Sequence, residues 1–102
     1  MALVKCLACG SGSPESIGTI CRLGQGNEEI YKLYRCTDCG NYLLDCYEDI
    51  FMSESNEPDP HWTRGPFDKA KGELLTRLIK ECPDPLDKFC SCAAHVRFFN
   101  EV

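Results

Sequence analysis

The sequence predicts a small α+β fold, with about three antiparallel strands followed by one amphipathic helix. Three observations predict it. β-forming residues dominate positions 17–47, apolar residues recur every three or four positions between 67 and 82, and 9 of the 102 residues are cysteines. A chain of this length is expected to form one domain over residues 1–102. We divide it into residues 1–52, a linker at 53–65, and residues 66–102.

The predicted strands lie in the N-terminal half. Residues 17–23 predict a strand with Ile17, Thr19, Cys21 and Leu23 at alternate positions on one face. Residues 24–27 (Gly-Gln-Gly-Asn) are typical of a turn, and residues 30–35 are rich in β-formers. This hairpin would bring Cys36 to the end of a strand. Residues 41–47 predict a third strand, in which Cys46 has the inward phase that Cys21 has in the first.

The predicted helix follows a polar linker that contains Pro58 and Pro60. Pro66 is placed at its start, a favoured position for proline, and Pro83 ends it. Gly72 weakens the helix by roughly 1 kcal/mol but is expected to lie away from the apolar stripe. The residues of that stripe are Phe67, Ala70, Leu74, Leu75, Leu78, Ile79 and Cys82.

The cysteine count indicates metal binding. Nine is odd, so the cysteines cannot all pair into disulfides within the chain. The N-terminus has neither the basic region nor the apolar region of a secretory signal, and no apolar run reaches the roughly 18 residues of a membrane helix. We therefore expect a cytoplasmic protein with no membrane association, whose thiols stay reduced and act first as metal ligands.

Two Cys-x2-Cys-Gly units form the first candidate metal site, Cys6 with Cys9 and Cys36 with Cys39. Two intervening residues let one tight turn place two sulfurs on the same side. A glycine after each unit permits the positive φ that such a turn needs. Four thiolates match the tetrahedral preference of Zn²⁺.

This arrangement resembles the zinc-ribbon family over about residues 4–48. The resemblance implies a β ribbon around one zinc ion, with Cys6, Cys9, Cys36 and Cys39 as its ligands. The chain departs from the shortest ribbons in having 26 residues between the two cysteine pairs. We therefore expect an extended first hairpin or entry loop.

A second candidate zinc site has the spacing Cys-x7-Cys-x-Cys-x2-His, and its ligands are Cys82, Cys90, Cys92 and His95. It would clip the C-terminal tail to the end of the helix. Alternatively, Cys82 is only the last residue of the apolar stripe and His95 is a surface residue. In a further alternative, Cys90, Cys92 and His95 remain ligands, and His61, Cys46 or Cys21 replaces Cys82 as the fourth.

The charge pattern predicts a partner. The net charge is −5, and residues 45–60 contain six carboxylates with no Lys or Arg. We expect a non-catalytic protein-interaction module, such as an adaptor or inhibitor, that binds a basic protein. The expected contact residues are Asp45, Glu48, Asp49 and Glu54, with Trp62 or Phe51 as an apolar anchor. An enzyme is not expected, because a zinc ion with four protein ligands has no open position for water.

Two other functions stay open. Zinc ribbons recur in transcription and translation machinery, although nucleic-acid binding is disfavoured by the acidic charge. The basic residues of the helix are the cluster that such binding would use: Lys69, Lys71, Arg77 and Lys80. A thiol redox or metal-handling role would use Cys21 and Cys46, which are otherwise small core residues.

Overall fold

A four-stranded antiparallel sheet carries two helices on one face in the part of the chain that the structure, a computed structural model, describes. That part comprises residues 5–10, 12, 14–23, 27–49 and 61–102. The α+β prediction is confirmed. In chain order the elements are β1 (Pro14–Leu23), β2 (Glu28–Cys36), β3 (Tyr42–Asp49), β4 (His61–Phe67), α1 (Lys69–Glu81) and α2 (Ala93–Glu101). The strands are ordered β1-β2-β3-β4 across the sheet.

The strand register separates the two buried cysteines of the sheet. Cys46 lies opposite Tyr31 and belongs to the hydrophobic core beneath the helices. Cys21 lies opposite Ile30, the neighbour of Tyr31, and therefore points to the other face of the sheet. The prediction that the two cysteines share an inward phase is wrong, because the hairpin register pairs Cys21 with Ile30 and not with Tyr31.

A fourth strand takes the place of the last part of the predicted linker, and the helix begins later than predicted. Residues 61–65 of that linker lie in β4, which pairs with β3. These residues form a strand because the ring of Trp62 packs edge-on against that of Tyr31, with the ring centroids 6.0 Å apart. Pro66 also lies in β4. The helix begins at Lys69, after Asp68 accepts a 2.8 Å hydrogen bond from the Lys71 amide as N-cap.

The helix α1 buries most of the predicted stripe, but Phe67 of that stripe lies in β4 and not in the helix. Leu75, Leu78 and Ile79 are buried in the core, whereas Ala70 is exposed. Gly72 is also buried, contrary to the expectation that it lies off the stripe. A Cβ atom at Gly72 would lie 2.0 Å from Cδ1 of Tyr42, so glycine is what lets this ring lie against the helix.

The C-terminal tail forms a second helix that the sequence analysis did not predict as an element. Phe98 of α2 is fully buried, and the ring of Phe99 lies 5.1 Å from that of Tyr31. The segment before α2 is bound to β1, because the amides of Cys21 and Leu23 donate to carbonyls at positions 85 and 88. No helix of the described residues is long and apolar enough to cross a membrane.

Candidate metal centres

The two Cys-x2-Cys-Gly turns have the same backbone geometry. In each, the glycine amide donates a 3.0 Å hydrogen bond to the carbonyl of the first cysteine, Gly10 to Cys6 and Gly40 to Cys36. The glycine φ angles are 77° and 78°, the positive values that the sequence predicts. Cys36 is the last residue of β2, so the second cysteine turn lies where the hairpin ends.

The sulfurs of the two turns meet in one cluster. The Sγ atoms of Cys6 and Cys39 are 3.5 Å apart, and those of Cys9 and Cys36 are 3.6 Å apart. All four sulfurs lie within 4.8 Å of one another. A tetrahedron with metal–sulfur bonds of about 2.3 Å has sulfur–sulfur edges of about 3.8 Å, so this first cluster fits one ion.

Backbone amides favour the thiolate forms in the first cluster. The amide of Ala8 lies 3.4 Å from the Cys6 sulfur, and that of Cys39 lies 3.5 Å from the Cys36 sulfur. A hydrogen bond from the Cys9 amide lowers the pKa of Cys6 to about 6, despite the opposing effect of burial. The pKa of Cys36 is lowered in the same way, chiefly by the Cys39 amide. The amides therefore favour the anionic form of Cys6 and Cys36. The pKa of Cys39 is instead raised, because the hydrogen bond from the Asn41 amide is outweighed by burial and by the neighbouring thiols.

A second cluster joins the ends of the two helices. The Sγ atom of Cys82, the C-cap of α1, lies 3.6 Å from that of Cys90 and 3.5 Å from that of Cys92. Cys92 is the N-cap of α2, and its sulfur accepts a hydrogen bond from the His95 amide, which lowers the pKa of Cys92. Burial raises the pKa of Cys82 to about 12. These three sulfurs lie within 4.8 Å of one another.

His95 adjoins the second cluster and is only 3% exposed. Its Nδ1 atom lies 3.4 Å from the Cys82 sulfur, and its Nε2 atom lies 2.7 Å from the carbonyl oxygen of Cys21. His95 is not part of the group whose ligand atoms all lie within 4.8 Å of one another. Because a carbonyl can only accept, Nε2 carries a proton, and Nδ1 faces the Cys82 sulfur. A backbone carbonyl commonly orients a metal-binding histidine in this way.

The other candidate ligands lie elsewhere. His61 is paired with Asp45 in the sheet. Cys46 is in the core, and Cys21 takes part in the second cluster only through its carbonyl group. Burial raises the pKa of these two thiols to about 12 and about 11, respectively. Sequence reasoning missed the Cys21 carbonyl, for which a sequence carries no signal because every residue has one.

Comparison of the chain with protein-family models, with curated proteins and with solved structures finds no match in any of the three. The fold and the two clusters therefore define the class of protein. It is a small α+β protein with one four-cysteine and one three-cysteine group that could each hold a metal ion. The first group is zinc-ribbon-like, because two cysteine turns of the same geometry converge on it.

Proposed function

We propose that the chain is a non-catalytic protein-interaction module whose fold is held by two zinc ions. The observation that carries this proposal is the convergence of sulfurs from distant parts of the sequence to the spacing of a tetrahedral site. Thiolate-rich tetrahedral sites favour zinc. The proposed ligands are Cys6, Cys9, Cys36 and Cys39 at the first ion, and Cys82, Cys90, Cys92 and His95 at the second.

The proposed role of the metals is structural. Each set contains four protein ligands, which leave a zinc ion no open position for water or substrate. The first ion would tie the segment before β1 to the end of β2. The second would tie α1 to α2, and through His95 to β1. In a small domain, the free energy of such binding contributes directly to folding.

The proposed partner is a basic protein, met in a reducing compartment such as the cytoplasm. Support comes from the net charge of −5 and from the acidic residues of β3 and the segment after it. Asp45 pairs with His61, and Glu48 accepts a hydrogen bond from Asn27, so both carboxylates are held in place. Glu54 and Phe51, also proposed as contacts, lie outside the described residues, as does the side chain of Asp49.

Two observations favour this proposal over its alternatives. Three of the four basic residues on α1 pair with carboxylates, which weakens the case for a nucleic-acid surface; the pairs are Lys69–Glu73, Lys71–Glu101 and Arg77–Glu81. A redox pair of Cys21 and Cys46 is disfavoured because the two side chains lie on opposite faces of the sheet.

The test begins with capture of partners from cell extract on the zinc-loaded chain. Replacing Glu48, Asp49 and Glu54 by Gln or Asn should slow association with the captured protein several-fold and reduce its salt dependence. The matched control neutralises the same number of carboxylates elsewhere, at Glu15, Glu73 and Glu81, and should have a smaller effect. An acidic or nucleic-acid partner, or an unchanged association rate, contradicts the proposal.

A further inference from the structure

Large apolar side chains are exposed where the 84–90 loop runs beside β1. Leu86 is 62% exposed and Phe89 is 69% exposed. Leu23, at the end of β1, is 46% exposed, and its amide donates to the carbonyl of Lys88 in the same loop. Single exposed apolar residues are ordinary, but several presented by adjoining segments mark an interaction site.

The backbone of this loop is held by hydrogen bonds. The amide of Cys90 donates to the carbonyl of Asp87, whose own amide donates to the carbonyl of Asp84, and the Phe89 amide donates to the Asp87 side chain at 2.9 Å. The loop is also bound to β1 through Pro85 and begins and ends beside ligands of the second cluster. A preorganised loop loses little conformational entropy on binding, which favours its exposed side chains as anchors.

Acidic residues border the apolar side chains. The strand register places Leu23 opposite Glu28, and Glu28 opposite Asp49, so these three positions share one face of the sheet. Asp84 and Asp87 lie in the loop, where Lys88 is the one cation between positions 84 and 90. The Nζ atom of Lys88 lies 5.5 Å from the centroid of the Phe89 ring, and three carboxylates at Glu28, Asp84 and Asp87 outnumber this one cation. The surface therefore combines apolar anchors with a net negative rim.

We infer that this surface, formed by Leu23, Leu86 and Phe89 with Glu28, docks a basic peptide segment that carries a large apolar side chain. The inference rests on the proposed protein-binding function and deepens it by adding the apolar anchor site. Anionic lipid would be repelled by the carboxylates. A second copy docked face to face would bring the same negative rims together.

A random peptide library displayed on phage and selected on the zinc-loaded chain tests this inference. Selected peptides should be rich in Lys or Arg and contain an aromatic or long aliphatic residue. Their binding should perturb the amide resonances of Leu23, Leu86 and Phe89. Glu28→Gln should weaken binding and reduce its dependence on salt.

Serine variants at the exposed apolar positions test the anchors directly. Phe89→Ser should raise the peptide Kd at least about tenfold, as expected for loss of a central anchor, and Leu86→Ser should act in the same direction. Leu7→Ser is the matched control, because Leu7 is 43% exposed in a cysteine turn of the other cluster, and should change Kd less than about twofold. Zinc content and amide dispersion check that each variant is folded.

Several results would overturn the inference. Selected peptides that are acidic, or that bind both serine variants as well as the wild type, would exclude this surface while leaving protein binding elsewhere intact. Selection of no peptide at all would count against it too. Binding to vesicles of anionic phospholipid, or self-association abolished by Phe89→Ser, would assign the surface to another occupant. Failure of the partner-capture test would instead remove the proposed function itself.

Discussion

The contact between Gly72 and Tyr42 predicts a reversal of the usual effect of a helical Gly→Ala substitution. In an exposed helix interior, this change stabilises by about 1 kcal/mol. Here the new Cβ would lie 2.0 Å from the ring of Tyr42, whereas carbon atoms make favourable contacts at about 3.5–4.0 Å. The ring must therefore move by about 1.5 Å, although the Tyr42 residue is only 8% exposed. Overpacking of this kind costs up to about 3 kcal/mol.

Combining these two effects, Gly72→Ala should lower the free energy of unfolding by about 2 kcal/mol. The assay is urea unfolding of the zinc-loaded protein at one fixed concentration of free zinc, because bound metal also contributes to apparent stability. Glu73→Ala, at an exposed position of the same helix, serves as the control and should stay within about 0.5 kcal/mol of wild type.

A double-mutant cycle isolates the cause. Once Tyr42→Ala has removed the ring, Gly72→Ala should stabilise by about 1 kcal/mol, which corresponds to a coupling energy of about 3 kcal/mol. If Gly72→Ala stabilises the otherwise wild-type protein, the reasoning is refuted, and Gly72 is then an ordinary helix-weakening residue as the sequence alone suggests.

Four further predictions concern the cysteines. Elemental analysis of the metal-loaded protein should give close to two zinc ions per chain, and a value near one would remove the second site. Cys36→Ser should abolish native amide dispersion, whereas Cys92→Ser should alter only resonances of the tail and the end of α1, because structural zinc binding supplies folding free energy locally. N-ethylmaleimide at pH 7 should leave Cys21 and Cys46 unmodified in the folded protein, since burial raises both pKa values; rapid labelling of either would contradict this. The zinc affinity of the first cluster should fall as the pH falls, because protons compete first for Cys39, whose pKa is raised, and the fall should steepen below about 6, where protons also occupy Cys6, whose pKa is lowered to about 6; competition with a chelator over a pH series measures this, and affinity should recover as the pH rises.

Features that depend on local geometry are predictable from the sequence. Two residues between cysteines and a following glycine define a turn, so the first cluster could be predicted from Cys6, Cys9, Cys36 and Cys39 before any tertiary contact was known. The apolar stripe of α1 and the first three strands were likewise predictable from periodicity. The spacing of the C-terminal cysteines also predicts the three sulfurs of the second cluster, but it leaves the fourth ligand open.

Features that depend on contacts between residues distant in sequence are not predictable in this way. The segment 61–65 resembles a linker by composition, yet it is a strand because Trp62 packs against Tyr31. Gly72 is part of the buried face because the ring of Tyr42 lies there. The Nδ1 atom of His95 faces the Cys82 sulfur because a carbonyl 74 positions earlier holds Nε2. The strand at 61–65, the burial of Gly72 and the orientation of His95 depend on which surfaces the folded chain brings together. Periodicity within one segment carries no information about those contacts.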